Sequence, residues 1–353
     1  MPKGKRYRFA ADGYQQWLKK DGDFLARALN DTRYLSRIAK EYLQLVCPGS
    51  GVRVIPGQLT AMLRGKFGLN QLLSGTEAKN RNDHRHHALD ACVIGITDQG
   101  MLQRFANASK ATRAKERFDK LVENMPQPWP TYRQHVERAM SHIWVSHKPD
   151  HGFEGAMMEA TAYGIGKDGQ TKQKPKADGS PAREVKNLIR ISEPTQPQRH
   201  GLDAQGQPLP YIGYIGGSNY CIEITRDEKG KWEGSVISTF EAYQIVRQHG
   251  LKQLRHPQLG QNGQALVMRL VIGDAVRMKV GDSIETMRFV KVAASNGQMT
   301  FAPVNEANVD ARNNDKEDGF AYTTKIAGSL KTAQGRSINI SPIGELRDPG
   351  FQG

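Results

Sequence analysis

The most informative stretch of this sequence is Asn82-Asp83-His84-Arg85-His86-His87-Ala88-Leu89-Asp90-Ala91. The apolar residues that follow, up to Ile96, predict a buried helix with Asn82 or Asp83 as its N-terminal cap. Because i and i+3 share a helix face, the helix would present His87 and Asp90 on one side. A carboxylate in a buried helix is costly unless it is paired or binds a metal. The stretch therefore predicts a catalytic pair or a structural ion pair.

Two structural interpretations of this stretch stay open. Asp90 can form an ion pair with Arg85 or with a distant arginine, which would make it part of the scaffold. The clustered histidines can instead bind zinc, although zinc sites usually combine four ligands and often include cysteine. The three cysteines, Cys47, Cys92 and Cys221, are too far apart in sequence to form such a motif.

The composition favours a polyanionic partner. The 353 residues include 50 Lys and Arg against 36 Asp and Glu, a formal net charge of +14. An excess of this size predicts nucleic acid as the first partner to test. No apolar run approaches the roughly 20 residues that span a bilayer, and the basic N-terminus has no apolar segment behind it. We therefore expect a cytoplasmic protein with reduced cysteines and no membrane partner.

The periodicity of apolar residues changes near residue 141. Before it, the pattern predicts helices at residues 24–46, 58–66, 101–123 and 131–140, and a short strand at 52–55. After it, glycine, proline and β-branched residues predict strands at 222–225, 232–239, 266–270, 275–280, 285–293 and 298–302, with one helix at 239–249. Residues 166–210 and 305–319 are interpreted as loops. The chain is thus predicted to be α/β, with a β-rich second part.

Several motifs, in this order, resemble the C-terminal portion of a type II CRISPR RNA-guided DNA endonuclease, most similar to the compact II-C branch. They are Phe24-Leu25-Ala26-Arg27-Ala28-Leu29-Asn30-Asp31-Thr32-Arg33-Tyr34, Val54-Ile55-Pro56-Gly57, Leu63-Arg64-Gly65-Lys66-Phe67-Gly68-Leu69, the stretch from Asp83 to Ala91, Pro126-Gln127-Pro128-Trp129, Val145-Ser146-His147-Lys148-Pro149 and Gly217-Ser218-Asn219-Tyr220-Cys221-Ile222-Glu223-Ile224. Beyond residue 240 the sequence is similar only in its general character, without a matching motif.

The resemblance implies an order of domains. Residues 1–23 would be the linker that leaves the HNH domain, and 24–140 the third segment of an RNase-H-like RuvC domain. Residues 141–240 would be the wedge domain, and 241–353 the domain that reads the protospacer-adjacent motif (PAM). The earlier RuvC segments, the HNH domain and the recognition lobe would lie upstream, so we expect a fragment or the product of a split gene.

The resemblance also implies the chemistry. RuvC domains cleave one DNA strand with two metal ions, for which Mg²⁺ is expected and Mn²⁺ is an alternative. Asp90 would be a metal ligand, and His87 would be the base that activates the attacking water. The implied partners are guide RNA, as crRNA and tracrRNA, and target DNA. Without the other carboxylates, this chain alone is expected to cut nothing.

Two nucleic-acid contacts are predicted in the second part. The backbone of Met158, Glu159, Ala160 and Thr161 would hold the target-strand phosphate beside the PAM. A hairpin around Asn296-Gly297 would enter the major groove as a two-stranded ribbon. Its predicted readers of base edges are Ser295, Asn296, Gln298 and Thr300, with Arg288 and Lys291 on phosphates or guanine.

Three functions therefore have to be distinguished. The first is a part of an RNA-guided endonuclease. The second is a nucleic-acid-binding module that does not cleave. The third is an unrelated basic zinc protein, which near-stoichiometric bound zinc would reveal.

Overall fold

The computed structural model describes residues 22–49, 51–109, 114–147, 155–173, 179–180, 185 and 188–351. The predicted linker, residues 1–23, lies almost entirely outside the described residues. Two compact units divide the chain: a helical unit, Met1–Lys79 with His87–Glu137, and a β unit, Asn80–His86 with Arg138–Gly353. None of the helices in the described ranges combines the length and the apolar character that crossing a membrane requires.

Helices make up the regular structure of the first part of the described chain. They are α1 (Gly22–Val46), α2 (Gly57–Lys66), α3 (Gln71–Ser74), α4 (His86–Gly95), α5 (Gln99–Ser109), α6 (Ala114–Glu123) and α7 (Tyr132–Met140). The apolar residues buried in the helical unit include Leu59, Leu63, Phe67, Leu69, Leu89, Val93, Phe105 and Tyr132. The ring of Phe67 meets the edge of Tyr132 with a centroid distance of 5.4 Å. Burial of these side chains supplies most of the driving force that holds the short helices together.

One prediction for this part is wrong. Residues 52–55 form no strand, since residues 51–56 have no regular structure. A strand needs a hydrogen-bonded neighbour, and the described residues of the helical unit contain no strand to pair with it. The helix predicted for residues 101–123 corresponds to α5 and α6, and residues 110–113 between them lie outside the described ranges.

The β unit contains three antiparallel sheets and four helices within its described residues. The strands are β1 (Met158–Gly164), β2 (Leu188–Ile191), β3 (Ile212–Gly216), β4 (Asn219–Arg226), β5 (Trp232–Ser238), β6 (Ala265–Val271), β7 (Ala275–Val280), β8 (Ser283–Val292), β9 (Met299–Pro303), β10 (Thr323–Lys325), β11 (Arg336–Ile340) and β12 (Leu346–Arg347). The helices are α8 (Thr239–His249), α9 (Leu251–Arg255), α10 (Val309–Asn314) and α11 (Ala327–Thr332).

The strand orders are β1-β3-β2, β5-β4-β6 and β10-β9-β8-β7-β11-β12. A core of apolar side chains joins the second and third of these sheets; it includes Ile222, Leu270, Phe289, Phe301 and Leu330, each fully buried. Strand β8 alternates as expected for one buried sheet face, since Met287 and Phe289 are buried. In β4, by contrast, six consecutive residues are buried. Helix α8 begins at a complete capping box, in which Ser238 and Glu241 exchange hydrogen bonds.

The coarse fold class is confirmed: helices come first and antiparallel sheets follow. The strands β1 to β3 and β10 to β12, and the helices α10 and α11, were not predicted. Most of these elements are only two to six residues long, as in β12 and α10. Segments this short carry too few residues for a hydrophobic period to be recognised.

Candidate nuclease site and nucleic-acid contacts

Helix α4 carries His87 and Asp90, as predicted, but it is buried on one face only. Leu89 and Val93 are buried in the helical unit. On the other side His87 and Ala91 are exposed, and Ile94 keeps 48% of its surface accessible. These three residues are at i, i+4 and i+7, so they line one open helix face. The prediction of a buried helix therefore holds for one face only, because apolar composition does not itself require burial on every side.

Asp90 accepts hydrogen bonds from two cations that belong to other segments. The Nη1 group of Arg64, on α2, donates to Oδ1 of Asp90. The Nζ group of Lys79, in the loop before α4, lies 2.7 Å from Oδ2. The interpretation of Asp90 as the partner of a distant arginine therefore describes this structure. The alternative partner, Arg85, instead forms its ion pair with Asp83, at 2.6 Å between Nη2 and Oδ2.

Arg64 is itself held in place. Its side chain is 6% exposed, and its Nε donates to Oδ1 of Asn70 at 2.5 Å. Asn70 in turn donates through Nδ2 to the carbonyl oxygen of Glu77 at 2.7 Å. The planar guanidinium thus bonds along two edges, which fixes its orientation more firmly than a single contact would. We call Arg64, Lys79 and Asn70 the Asp90 frame.

The residues just before His87 belong to the β unit. Oδ1 of Asp83 accepts a hydrogen bond from the backbone N–H of Arg85 at 2.8 Å, and the Asp83 carbonyl accepts one from the N–H of His86. These contacts form a turn before α4, which begins three residues after Asp83, at His86. The backbone N–H of His84 donates to the carbonyl of Asn305 at 2.9 Å. This half of the histidine-rich stretch is therefore structural.

The described residues do not by themselves fit a metal ion. They contain no group of three or more His, Cys, Asp or Glu side chains that could hold one. The single negative charge of Asp90 already faces two positive charges, and hard cations such as Mg²⁺ need several oxygen ligands. The same observation leaves the zinc interpretation without a ligand set in the described part of the chain.

The predicted phosphate contact at Met158, Glu159, Ala160 and Thr161 falls on the edge strand β1. Glu159, Ala160 and Thr161 are exposed. The pairing of β1 with β3 is irregular between Met158 and Ala162, where four steps along β1 match two along β3. Such a bulge turns backbone N–H groups away from the regular ladder. Exposed N–H groups at a bulge are a suitable place for a phosphate oxygen.

The predicted hairpin is present, but it is not a free ribbon. It consists of β8, the turn and β9, and the N–H of Ala293 donates to the Gln298 carbonyl to close the turn. Gly297 adopts the left-handed conformation there, with φ of 64°. Both strands lie inside the six-stranded sheet, each flanked on two sides. Neighbouring strands therefore cover both edges of the hairpin and leave its turn exposed; entry of this turn into a DNA groove stays a prediction.

The predicted readers on this hairpin separate into two groups. Ser295, Asn296 and Gln298 are exposed in or beside the turn. Thr300 is buried, with 8% of its surface accessible, because it lies between Lys291 of β8 and Thr324 of β10. Burial argues against Thr300 as a reader of base edges.

The two basic residues of β8 also differ. Arg288 donates from Nη1 to Nδ1 of His147 at 3.1 Å, inside the unit, and burial lowers the pKa of its guanidinium. Arg288 therefore braces His147, which argues against a contact with guanine. Lys291 is exposed, and its Nζ lies 5.3 Å from the ring centroid of Tyr322. This cation–π contact leaves the ammonium group accessible to solvent.

Sequence reasoning missed Arg64, Lys79 and Asn70 as parts of the site. Arg64 lies within one of the motifs that carry the resemblance, and that motif assigns it no role. Its contact with Asp90 joins residues 26 positions apart, so no local pattern could reveal it. The available signal was a charged residue on the apolar side of a helix, between Leu63 and Phe67, which calls for a buried partner.

Residues 19–152 match the family model described as RuvC endonuclease subdomain 3. The chain is 28% identical over 161 residues to the CRISPR-associated endonuclease Cas9 of Campylobacter jejuni, which covers 37% of this chain and 16% of the relative. It is 34% identical over 80 residues to Cas9 1 of Streptococcus thermophilus, covering 22% of this chain and 6% of the relative.

The fold is similar to solved Cas9 structures. The type II-C Cas9 of Actinomyces naeslundii aligns with a TM-score of 0.54 at 14% identity, over 87% of this chain and 41% of that one. The Cas9 of Streptococcus thermophilus in complex with the AGGA PAM aligns with a TM-score of 0.53 at 13% identity, over 100% and 42% of the two chains. At such identities the likeness concerns the fold.

These findings point first to a class: residues 19–152 are similar to the third subdomain of RuvC endonucleases. More particularly, part of the chain is similar to part of Cas9, the CRISPR-associated endonuclease. It spans less than a fifth of the length of the curated relatives it matches. The resemblance inferred from the motifs is confirmed.

Proposed function

We propose that this chain supplies the third RuvC segment and the nucleic-acid-binding C-terminal part of an RNA-guided DNA endonuclease of CRISPR antiviral defence. The match to RuvC endonuclease subdomain 3 carries the proposal, because it covers the segment with His87 and Asp90. In this proposal residues 24–140 complete an RNase-H-like nuclease domain, 141–240 form the wedge, and 241–353 read the PAM.

His87 and Asp90 are the proposed catalytic pair. Imidazole is a suitable proton acceptor near neutral pH, and His87 is exposed on the open face of α4, where a substrate water can reach it. Asp90 would offer a carboxylate oxygen to Mg²⁺ or Mn²⁺. Since the described residues assemble no metal group of three or more ligands, the remaining ligands must come from outside these residues.

Guide RNA and target DNA are the proposed partners. The net charge of +14 favours a polyanion, and the backbone bulge of β1 offers N–H groups to a phosphate. The exposed residues Ser295, Asn296 and Gln298, with Lys291 nearby, are the proposed contacts to the PAM duplex. Amide side chains can bond adenine in the major groove, and lysine can bond guanine or phosphate.

A second function, binding without cleavage, is favoured by one observation. Asp90 is neutralised by Arg64 and Lys79, as in a structural ion pair. A chain that stays in this arrangement would bind nucleic acid and contribute nothing to hydrolysis. Strand-specific cleavage distinguishes the two functions.

The test combines the purified chain with a polypeptide that carries the earlier RuvC segments, the HNH domain and the recognition lobe. The isolated chain should cut no DNA with Mg²⁺ or Mn²⁺. The combination should cut both strands, and Asp90→Ala should abolish cleavage of the non-target strand while the target strand is still cut. Asp119→Ala, which removes an exposed carboxylate of the same unit, is the matched control. Full cleavage of both strands by the mixture that contains the Asp90→Ala chain would refute the proposal.

A further inference from the structure

We propose that a groove beside α8 binds an unpaired adenine of the guide RNA, and that Arg247 and Lys252 hold the phosphates next to this base. The inference rests on the proposed function, in which guide RNA is a partner. The groove lies between β5, α8, α9 and the loop that precedes β6, and its volume is about 580 Å³. Binding sites for small organic groups in proteins have volumes of this order.

Glutamine side chains dominate the polar lining of the groove. They are Gln244 and Gln248 on α8, Gln253 on α9 and Gln261 in the loop. Gln244 and Gln248 are four residues apart, so they lie on one face of the helix. Gln244 is half-buried and the other three are exposed. Each carboxamide offers both hydrogen-bond donors and an acceptor to a ligand.

This lining favours adenine over phosphate and over guanine. A carboxamide can bond N6 and N7 of adenine together, whereas guanine is typically bound by arginine or lysine. Of the described residues that line the groove, none is an arginine or a lysine. The titratable side chains there are Glu241, which closes the capping box with Ser238, and His249 in the last turn of α8. An uncharged base therefore matches the groove better than an anionic group does.

The groove also offers an apolar surface to the flat face of a base. Val236, Ile245 and Leu259 line it, and Leu259 keeps 53% of its surface accessible. The loop is held in place, because the N–H of Gln261 donates to Oε2 of the buried Glu223 at 2.9 Å. A site that is formed before the ligand arrives loses less entropy on binding.

The chain around the groove is basic. From residue 242 to residue 273 the sequence has four arginines and lysines and no aspartate or glutamate. Arg247 directly precedes Gln248 on α8. Lys252 directly precedes Gln253 on α9, and both cations are exposed. Exposed cations beside an amide-lined groove match a nucleotide, whose phosphate is anionic and whose base is uncharged.

A hydrated surface groove makes a different prediction. If the groove holds only water, the chain binds single strands through their phosphates, and the identity of the bases does not matter. If the groove binds adenine, the carboxamides add a preference for this base that does not depend on charge. RNA is the favoured source, because sequence-specific recognition of RNA mostly targets unpaired bases.

The experiment measures binding of the 353-residue chain to fluorescein-labelled hexanucleotides by fluorescence anisotropy, at one salt concentration. The probes are hexa-adenylate, hexa-uridylate and hexa-deoxyadenylate. We expect the wild type to bind hexa-adenylate about tenfold more tightly than hexa-uridylate, as for one bidentate amide contact. The double variant Gln244→Leu with Gln248→Leu should lose this preference. Its binding of hexa-uridylate should be unchanged, which also shows that the variant is folded.

Two further variants control this measurement. Gln103→Leu with Gln134→Leu changes two exposed glutamines on α5 and α7, and it should keep the preference. Arg247→Gln with Lys252→Gln should weaken both RNA probes by the same factor, because they share their phosphates.

Three results would overturn the inference. The first is equal affinity of the wild type for hexa-adenylate and hexa-uridylate. The second is a preference for adenine that survives the change of Gln244 and Gln248. The third is tighter binding of hexa-deoxyadenylate than of hexa-adenylate, which would assign the groove to a DNA strand.

The result can be told apart from the test of function. If Asp90→Ala abolishes non-target cleavage in the combined enzyme but the chain shows no preference for adenine, the groove inference fails and the proposed function stands. If the mixture that contains the Asp90→Ala chain cuts both strands, the proposed function fails whatever the hexanucleotides show.

Discussion

The Asp90 frame and the turn of the β8–β9 hairpin are built in opposite ways. Asp90 is oriented by side chains from α2 and from the loop before α4, 26 and 11 positions away. The turn is held by bonds between near neighbours, such as the N–H of Gln298 to Oδ1 of Asn296. The comparison teaches that a proposed catalytic residue depends on distant parts of the helical unit, whereas the proposed PAM contacts depend on local geometry.

The largest expected effect is on the stability of the helical unit. Arg64→Ala should lower the free energy of opening of α2 and α4 by about 2–4 kcal/mol, because it removes a buried charge and two hydrogen bonds. Hydrogen exchange of peptides from these helices measures it. Arg104→Ala, an exposed arginine of α5, is the control and should change little. A loss below about 0.5 kcal/mol for Arg64→Ala would show that the frame is not needed for stability.

A second prediction concerns phosphate binding by the β unit. Lys167, Lys172 and Arg190 are exposed in the segment proposed as the wedge, whereas Lys174, Lys176, Arg183 and Lys186 lie outside the described residues. Binding of duplex DNA should weaken with salt, with a slope of about −0.9 in log affinity per log salt for each phosphate contact. Replacing the three described residues by alanine should make the slope less steep by about 0.9 for each lost contact. An unchanged slope would place the contacts elsewhere.

The brace between Arg288 and His147 predicts a pH dependence. Nε2 of His147 donates to the Val304 carbonyl at 2.8 Å, and Nδ1 accepts from Arg288, so the ring is neutral. Burial, together with the charges of Arg288 and His84, lowers the pKa of His147. A lowered pKa means that the folded unit resists protonation more than the unfolded chain does. Its stabilising contribution is therefore complete above about pH 6.5, the unperturbed value, and is lost as the pH falls through the lowered pKa.

Hydrogen exchange of β8 peptides between about pH 7 and pH 5, corrected for intrinsic rates, tests this dependence. The wild type should lose protection as the pH falls, and His147→Gln should show a flatter profile because Gln does not titrate in this range. Parallel profiles for the two proteins would remove His147 as the cause.

The smallest effects are expected in the turn. Asn296→Ala and Gln298→Ala should change the stability of the β unit by less than about 0.5 kcal/mol, since both side chains are exposed. In the combined enzyme each should nevertheless alter which flanking sequence is accepted, at a cost of about 1–3 kcal/mol per lost base contact. An unchanged motif preference in both variants would move the proposed reading surface to another part of residues 241–353.

The features that the sequence could predict are those determined by residues close together along the chain. Helix α1 and the strands β4 to β9 were predicted within a few residues, because their apolar period runs along the segment itself. The turn at Gly297 was predicted as a hairpin because Asn-Gly favours the left-handed conformation. These features depend on neighbours along the chain, which a sequence shows directly.

The missed features depend on distant partners. The segment 52–55 has β-branched residues but no strand to pair with in the described helical unit. Thr300 and Arg288 were expected at a surface. Thr300 is instead covered by the flanking strand β10, and Arg288 bonds His147. Arg64 indicated a buried partner, but nothing along the chain identified that partner as Asp90 or pointed to Lys79. Alternation predicts which residues share a face, but not which face is covered.

A double-mutant cycle between Arg64 and Asp90 tests most directly the claim that distant residues hold the proposed metal ligand. Hydrogen exchange of α2 and α4 gives the free energy of opening for the wild type, Arg64→Ala, Asp90→Asn and the double variant. The account predicts a coupling energy of about 1–3 kcal/mol, as expected for groups in direct contact. Effects that add to within about 0.3 kcal/mol would contradict it, because they would mean that Arg64 does not orient Asp90.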